Sequence, residues 1–155
     1  MTTRIGWWAA ALVPAVGLAT AAALGRRLVV VTVCGASMEP TYRSGERVLA
    51  RRGRTPAVGD VVVVETAASE TPLAPGAGAG AMTARNWIIK RVAAVPGDPV
   101  PRDRFPALAD VPEDRVPAGR LVLLGDNPER SQDSRRLGYF PVERLLGSVV
   151  RRLPG

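Results

Sequence analysis

Asn86-Trp87-Ile88-Ile89-Lys90-Arg91-Val92-Ala93-Ala94-Val95-Pro96-Gly97-Asp98 is the stretch on which the reading of this chain turns. Its run of apolar residues closes on a Pro-Gly-Asp triplet, the pattern of a strand entering a β-turn. As a strand it would place Ile88, Lys90 and Val92 on one face and Trp87, Ile89 and Arg91 on the other. Lys90 is the only lysine among 21 basic residues, the other twenty being arginines. Arginine keeps its proton at any accessible pH, whereas a lysine between apolar neighbours loses hydration and shifts toward the neutral amine. Two readings of Lys90 stand side by side: a general base, or a surface side chain whose stem covers its neighbours while the ammonium reaches water.

The rest of the composition narrows the chemistry. The chain has no histidine, which excludes Ser-His-Asp and Cys-His arrangements and leaves lysine or a carboxylate as the base for any nucleophile. The carboxylates have no histidine or cysteine cluster beside them, so no metal and no other cofactor is expected. Cys34 is the single cysteine; an internal disulfide is impossible, and its place in an apolar run predicts a buried small hydrophobe. A net charge of +7 raises the question of nucleic acid. The arginines are scattered, aromatics are few, and no zinc, helix-turn-helix or RNA-recognition signature is present, so no nucleic-acid partner is expected. The basic excess reads instead as compositional bias with an attraction to anionic membrane lipid.

At 155 residues the chain allows one domain and a short appendage. Ile5 to Gly25 carries no charge and has Trp7-Trp8 near its start. About twenty such residues suffice to cross a bilayer, with tryptophans at the interface, so residues 1–27 are predicted to be a membrane anchor. A cleavable signal peptide ending near Ala21-Ala22-Ala23 and a buried helix are the rivals; the missing polar face counts against the second. Charge alone does not orient the span, because Arg4 lies on one side and Arg26 and Arg27 on the other.

Residues 28–155 are predicted to be a β-rich domain. Leu28 to Cys34 reads as a buried strand, Glu46 to Arg52 as a half-exposed one, Val61 to Val64 as a core strand and Arg120 to Leu124 as a short buried one. Residues 65–86 are rich in Pro, Gly and Ala and are predicted to be a flexible loop. Irregular surface structure is expected over 99–118, one helical turn over Val142 to Leu146, and a closing strand over Gly147 to Arg151.

Four motifs occur in order: Gly35-Ala36-Ser37-Met38-Glu39-Pro40-Thr41; Gly59-Asp60 before a valine run; Lys90-Arg91 leading to Pro96-Gly97-Asp98; and Gly125-Asp126-Asn127-Pro128-Glu129-Arg130-Ser131-Gln132-Asp133-Ser134-Arg135. Each alone is weak. Together, with the sole lysine in the third, they resemble the type I signal peptidases, membrane serine proteases that use a Ser/Lys dyad, over residues 7 to 151. The resemblance implies a mainly β fold, a coiled β-sheet or barrel catalytic domain preceded by one N-terminal transmembrane helix. It implies Ser37 as nucleophile, Lys90 as general base and Ser131 as the hydroxyl that orients the lysine. Met38, Pro40 and Thr41 match the turn presenting the nucleophile, Gly125, Asp126 and Asn127 a turn near the site, and Asp133 and Arg135 a structural ion pair. On this resemblance the Ser37 amide would be the first oxyanion donor. Several family members place a second donor hydroxyl two residues before the nucleophile, where this chain has Gly35, so that donor is unassigned.

The implied function is that of a monomeric, single-pass endopeptidase. It would remove signal peptides or propeptides from exported proteins on the outer side of the cytoplasmic membrane. Only 26 residues separate Asp98 from Gly125, so the chain is a short form without the large inserted subdomain. The Gly-Asp-Asn-Pro-Glu opening of the last motif also resembles the maturation proteases dedicated to nickel superoxide dismutase, which keeps a single-substrate enzyme as the alternative. A non-catalytic envelope protein binding peptides or lipid is the competitor from another class.

Overall fold

The computed structural model describes residues 27–65 and 87–154. The predicted anchor, residues 1–27, lies outside them except for Arg27, and the predicted loop, residues 65–86, lies outside them except for Glu65.

The described chain is organised on one antiparallel sheet of seven strands: β1 (Leu28–Thr32), β2 (Arg47–Arg51), β3 (Val61–Glu65), β4 (Trp87–Ala94), β5 (Arg120–Leu124), β6 (Phe140–Pro141) and β7 (Leu145–Leu153). Their order across the sheet is β1-β2-β7-β3-β4-β5-β6. The four consecutive valines of β3 are all buried, which a strand achieves only when both faces are covered, as at the centre of a sheet. β2 instead alternates, with Val48 and Ala50 fully buried and Arg47 and Arg51 exposed. The last strand, β7, runs on from β3 to β2 and carries register shifts against both, and β4 carries another against β5. Bulges of this kind sharpen twist and bend a strand, so the sheet curls instead of lying flat, with β1 and β6 as open edges.

Packing on the two faces follows the period-2 pattern. Val61, Val63 and Ile89 join Val33, Met38 and Val48 in one core, against which Trp87 packs. Val62, Val64 and Val92 join Leu121, Leu123 and Phe140 in a second, with Ile88 beside it. The alternation expected for Trp87 to Val92 is therefore present, and Lys90 lies on the face of Ile88 and Val92.

Three expectations need correction. Leu28 to Thr32 is an edge strand with alternating exposure, not a buried one, because β2 is its only partner among the described strands. Cys34 lies beyond the strand and is exposed; the chain has already turned toward Gly35. Residues 99–118 are not merely irregular surface. Short 3-10 turns at Arg102–Arg104 and Pro106–Leu108 carry Phe105 and Leu108 into a third core with Ala94, Val100, Val116 and Val122. The strand ending the chain begins at Leu145, after a 3-10 turn over Val142–Arg144.

Candidate active site

Ser37 sits in a tight turn after β1. The turn is held by Glu39 N–H donating to Ala36 O at 3.2 Å and by Tyr42 N–H donating to Met38 O at 2.9 Å. Met38 is completely buried in the first core, so the residue after the serine anchors the turn while Ser37 itself stays half-buried. Pro40 is exposed and follows a cis Glu39–Pro40 bond. The second half of the same turn is tied down by Thr41, whose hydroxyl donates to Asp126 at 2.5 Å.

Asp126 joins this turn to the strand that carries the lysine. It accepts from Arg91 Nε at 2.9 Å and Nη2 at 2.7 Å, the planar two-bond geometry that arginine offers a carboxylate. The hydrogen bond from Arg91 leads the forces that hold the Asp126 carboxyl below its ordinary range, and Arg91 is raised in return. Asn127 N–H donates to the carbonyl of Ser37 at 3.0 Å. The Gly125-Asp126-Asn127 turn thus contacts both ends of the serine turn.

Lys90 is 2 % exposed. Its Nζ donates to Ser131 Oγ at 3.0 Å, and Ser131 is also buried. Desolvation pushes the lysine down from 10.5 to about 8; the attraction of Asp133 opposes the fall and the repulsion of Arg135 adds to it. Of the two readings of Lys90, the surface side chain is excluded by burial.

Asp133 is fully buried. Burial alone would raise its carboxyl, but hydrogen bonds from Arg135, Ser131 and the Gly125 N–H outweigh that and hold it at about 2. Arg135 grips it through Nε at 3.0 Å and Nη2 at 2.6 Å and also donates to Gly125 O at 3.0 Å. Asp133 caps the single helical turn α1 (Ser134–Leu137) by accepting from Arg135 N–H. A carboxylate so fully partnered is fixed in place and in charge.

Gly125 is the point where these groups meet. A Cβ built on it would fall 2.5 Å from Ser37 O and closer still to Ser131 Oγ, so the serine turn and the hydroxyl bonded to Lys90 approach from the same side. Only a residue without a side chain fits. The structure thus brings together Ser37, Lys90, Ser131, Gly125, Asp126, Asn127, Asp133 and Arg135; Met38 supports them from the core and Pro40 lies at the rim. Two contributors were missed. Arg91 pairs with Asp126, and its position next to Lys90 on the opposite face was the available signal. Ser134, given no role in the sequence reading, is fully buried and its hydroxyl accepts from Leu123 N–H at 2.8 Å; nothing local marks such a long-range bond.

Burial of Lys90 carries a measurable stability penalty. The folded-state value of about 8 lies below the unfolded 10.5, so the unfolded chain binds the extra proton between those pH values. The penalty is complete below about 8 and vanishes above about 10.5. At about 1.4 kcal/mol per pH unit it amounts to about 3 kcal/mol. Lys90→Met should therefore raise stability by about 2 to 3 kcal/mol at neutral pH, an advantage that fades as pH climbs through that window. Urea unfolding of the two chains at neutral and alkaline pH checks this, and a less stable variant at neutral pH would contradict it.

Among the described residues, no group of acidic, histidine or cysteine side chains is placed to hold a metal. No curated protein matches the chain. A family model described as signal peptidase, peptidase S26, matches residues 5–105 and 101–153. With nearly the whole length matched, the chain belongs to the signal peptidase family, peptidase S26.

Proposed function

We propose that this chain is a membrane-anchored serine endopeptidase that cleaves N-terminal signal peptides or propeptides from exported proteins, with Ser37 as nucleophile and Lys90 as general base. The observation that carries the reading is the sole lysine of the chain, buried, lowered to about 8 and bonded to Ser131, beside a serine turn that meets the same hydroxyl around Gly125.

Proton counting supports these roles. The Ser131 hydroxyl has one proton, and its hydrogen bond to Asp133 uses it. Ser131 therefore accepts an N–H from Lys90, and the lone pair of the neutral amine is left for Ser37. Lys90 takes the Ser37 proton as Oγ attacks the substrate carbonyl, and the Ser37 amide donates to the developing oxyanion. The lysine returns the proton to the departing amine, leaving an acyl-enzyme. It then deprotonates a water that hydrolyses the ester and restores Ser37.

The sheet also offers a place for an extended substrate. β5 pairs with β4 only from Arg91 onward, so among the described strands the main chain of Trp87 to Lys90 has no partner on that side. A substrate adding as a strand there would run alongside the lysine. Small residues such as alanine at the first and third positions before the cut follow from the family resemblance. So do an anchor over residues 1–27 and a catalytic domain outside the cytoplasmic membrane.

The test is cleavage of a secretory precursor carrying alanine at those two positions, followed against pH. kcat/KM should climb tenfold per pH unit on the acid side and level off near about 8, where the free lysine becomes neutral. A rate that is flat or falling through this range would refute the lysine as base.

A further inference from the structure

Ser37 lies inside a loop that leaves the sheet at Val33 and returns to it at Glu46. Its base is closed by Val33 N–H donating to Glu46 O at 2.8 Å and by Gly45 N–H donating to Val33 O at 2.9 Å. One flank is tied to the lysine side, where Thr41 bonds Asp126 and Asn127 bonds the Ser37 carbonyl. The return arm, Thr41 to Glu46, is also met from the opposite direction, by the end of β7.

Cross-strand register sets Arg152 beside Val48 and Arg151 beside Leu49. Val48 belongs to the first core, so Arg152 projects on the face where Met38 is anchored and Arg151 on the other. An arginine at a core-facing position cannot leave its charge among apolar groups, and at the end of a strand its long stem can run past them. The guanidinium of Arg152 comes out on the return arm. Nη2 donates to the carbonyl of Thr41, Nε lies 3.2 Å from the Glu46 carboxylate, and the group covers the Tyr42 ring at 4.9 Å from its centre. Tyr42 itself packs against the first core.

Half of the Arg152 side chain is exposed, and an ion pair so open to water adds little to stability. What the contacts fix is a position. Thr41 is held through its hydroxyl by Asp126 and through its carbonyl by Arg152, so the loop cannot slide toward one without stretching the bond to the other. Reaction rate feels such a slide far more than stability does, since about 1 Å of misplacement is worth about 10²-fold.

We propose that Arg152 is a positioning residue for the cleavage reaction, clamping the return arm of the serine loop so that Ser37 stays within reach of Lys90. The proposal rests on the Ser37 and Lys90 reading above. Arginine suits the task because one rigid, planar group donates from Nε and Nη2 in different directions while its face lies on a ring; an ammonium would satisfy the Thr41 carbonyl or the Glu46 carboxylate, but not both with the stacking.

The test follows cleavage of the same secretory precursor by the full chain carrying Arg152→Ala, with Arg151→Ala as the control that removes an equal charge from the other face of the same strand. Arg152→Ala should lower kcat by about tenfold or more and leave KM within about twofold. The acid limb should still level off near about 8, because the charges acting on Lys90, Asp133 and Arg135, are untouched. The thermal midpoint should fall by no more than about 4 °C, and Arg151→Ala should cleave like the natural chain. Arg152→Lys should recover part of the loss. Glu46→Gln should lower kcat less than Arg152→Ala and add nothing to it, as expected of two groups in one clamp. A kcat for Arg152→Ala within about twofold of natural, or equal losses in the two arginine variants, would overturn the clamp. So would a rise in KM at unchanged kcat, which would make Arg152 a substrate contact, or a moved acid limb, which would place the effect on the lysine. Natural cleavage by Ser37→Ala overturns the catalytic reading and the clamp together, whereas an inactive Ser37→Ala beside a fully active Arg152→Ala overturns the clamp alone.

Discussion

Lys90→Arg should reduce cleavage of a secretory precursor by at least about 10³-fold, and Ser37→Ala by more. The guanidinium stays protonated, so it cannot take the proton that a nearly fully buried amine, lowered to about 8, can accept. Unfolding would cause a loss of the same size, and Lys90→Met separates the two causes. The same desolvation that leaves the amine neutral and able to accept a proton destabilises the fold, so the methionine chain should be inactive yet more stable than the natural one. That opposition would be the stability–activity trade-off expected of the proposed catalytic pocket. If Ser37 and Lys90 act as one unit, combining Ser37→Ala with Lys90→Met should cost no more activity than Ser37→Ala alone. Cleavage within about tenfold of the natural chain by either lysine variant would remove Lys90 from the mechanism.

How far the sequence disclosed this depends on whether a signal is local. Lys90 was legible because one lysine among twenty arginines is a chemical anomaly, and because Ile88 and Val92 flank it at strand spacing. The four valines of β3 were legible for the same kind of reason, since an uninterrupted β-branched run fits only a strand covered on both faces. β1 has nearly the same composition and was misread. Whether a strand is central or at an edge is decided by its partners, and β1 has one where β3 has two. The lobe over 99–118 escaped because Val100, Phe105, Leu108 and Val116 follow no period; they are brought together by 3-10 turns and by Val116 N–H donating to Asp98 O. In the last motif, Asp126, Asp133 and Ser134 are common turn residues, and only the fold shows that their side chains serve Arg91, Gly125 and Leu123 across the site. The resemblance supplied the identity of these positions but not the division of labour, in which Asp126 ties the serine turn to the lysine strand and Asp133 holds Ser131 and Gly125.

Gly125→Ala should be the most damaging change that touches neither reacting group. The added methyl would fall 2.5 Å from Ser37 O, 2.6 Å from Ser131 Cβ and nearer still to Ser131 Oγ, well inside contact distance. The glycine cannot withdraw, because its N–H donates to Asp133 at 2.8 Å and its carbonyl accepts from Arg135 at 3.0 Å. Both neighbours must yield. Moving Ser131 breaks its 3.0 Å bond to Lys90, and moving the serine turn breaks the bond from Asn127 to Ser37 O. Either displacement separates hydroxyl from amine, and about 1 Å of misplacement is worth about 10²-fold in rate, with about 1 to 3 kcal/mol of strain beside it. Adding Ser131→Gly should relieve the clash with that side chain and recover part of the lost thermal stability, while activity stays low because the lysine has lost its partner. A Gly125→Ala enzyme within about threefold of natural kcat/KM would mean that Ser37 and Ser131 do not converge on this backbone, and the pairing of Ser37 with Lys90 would lose its structural basis.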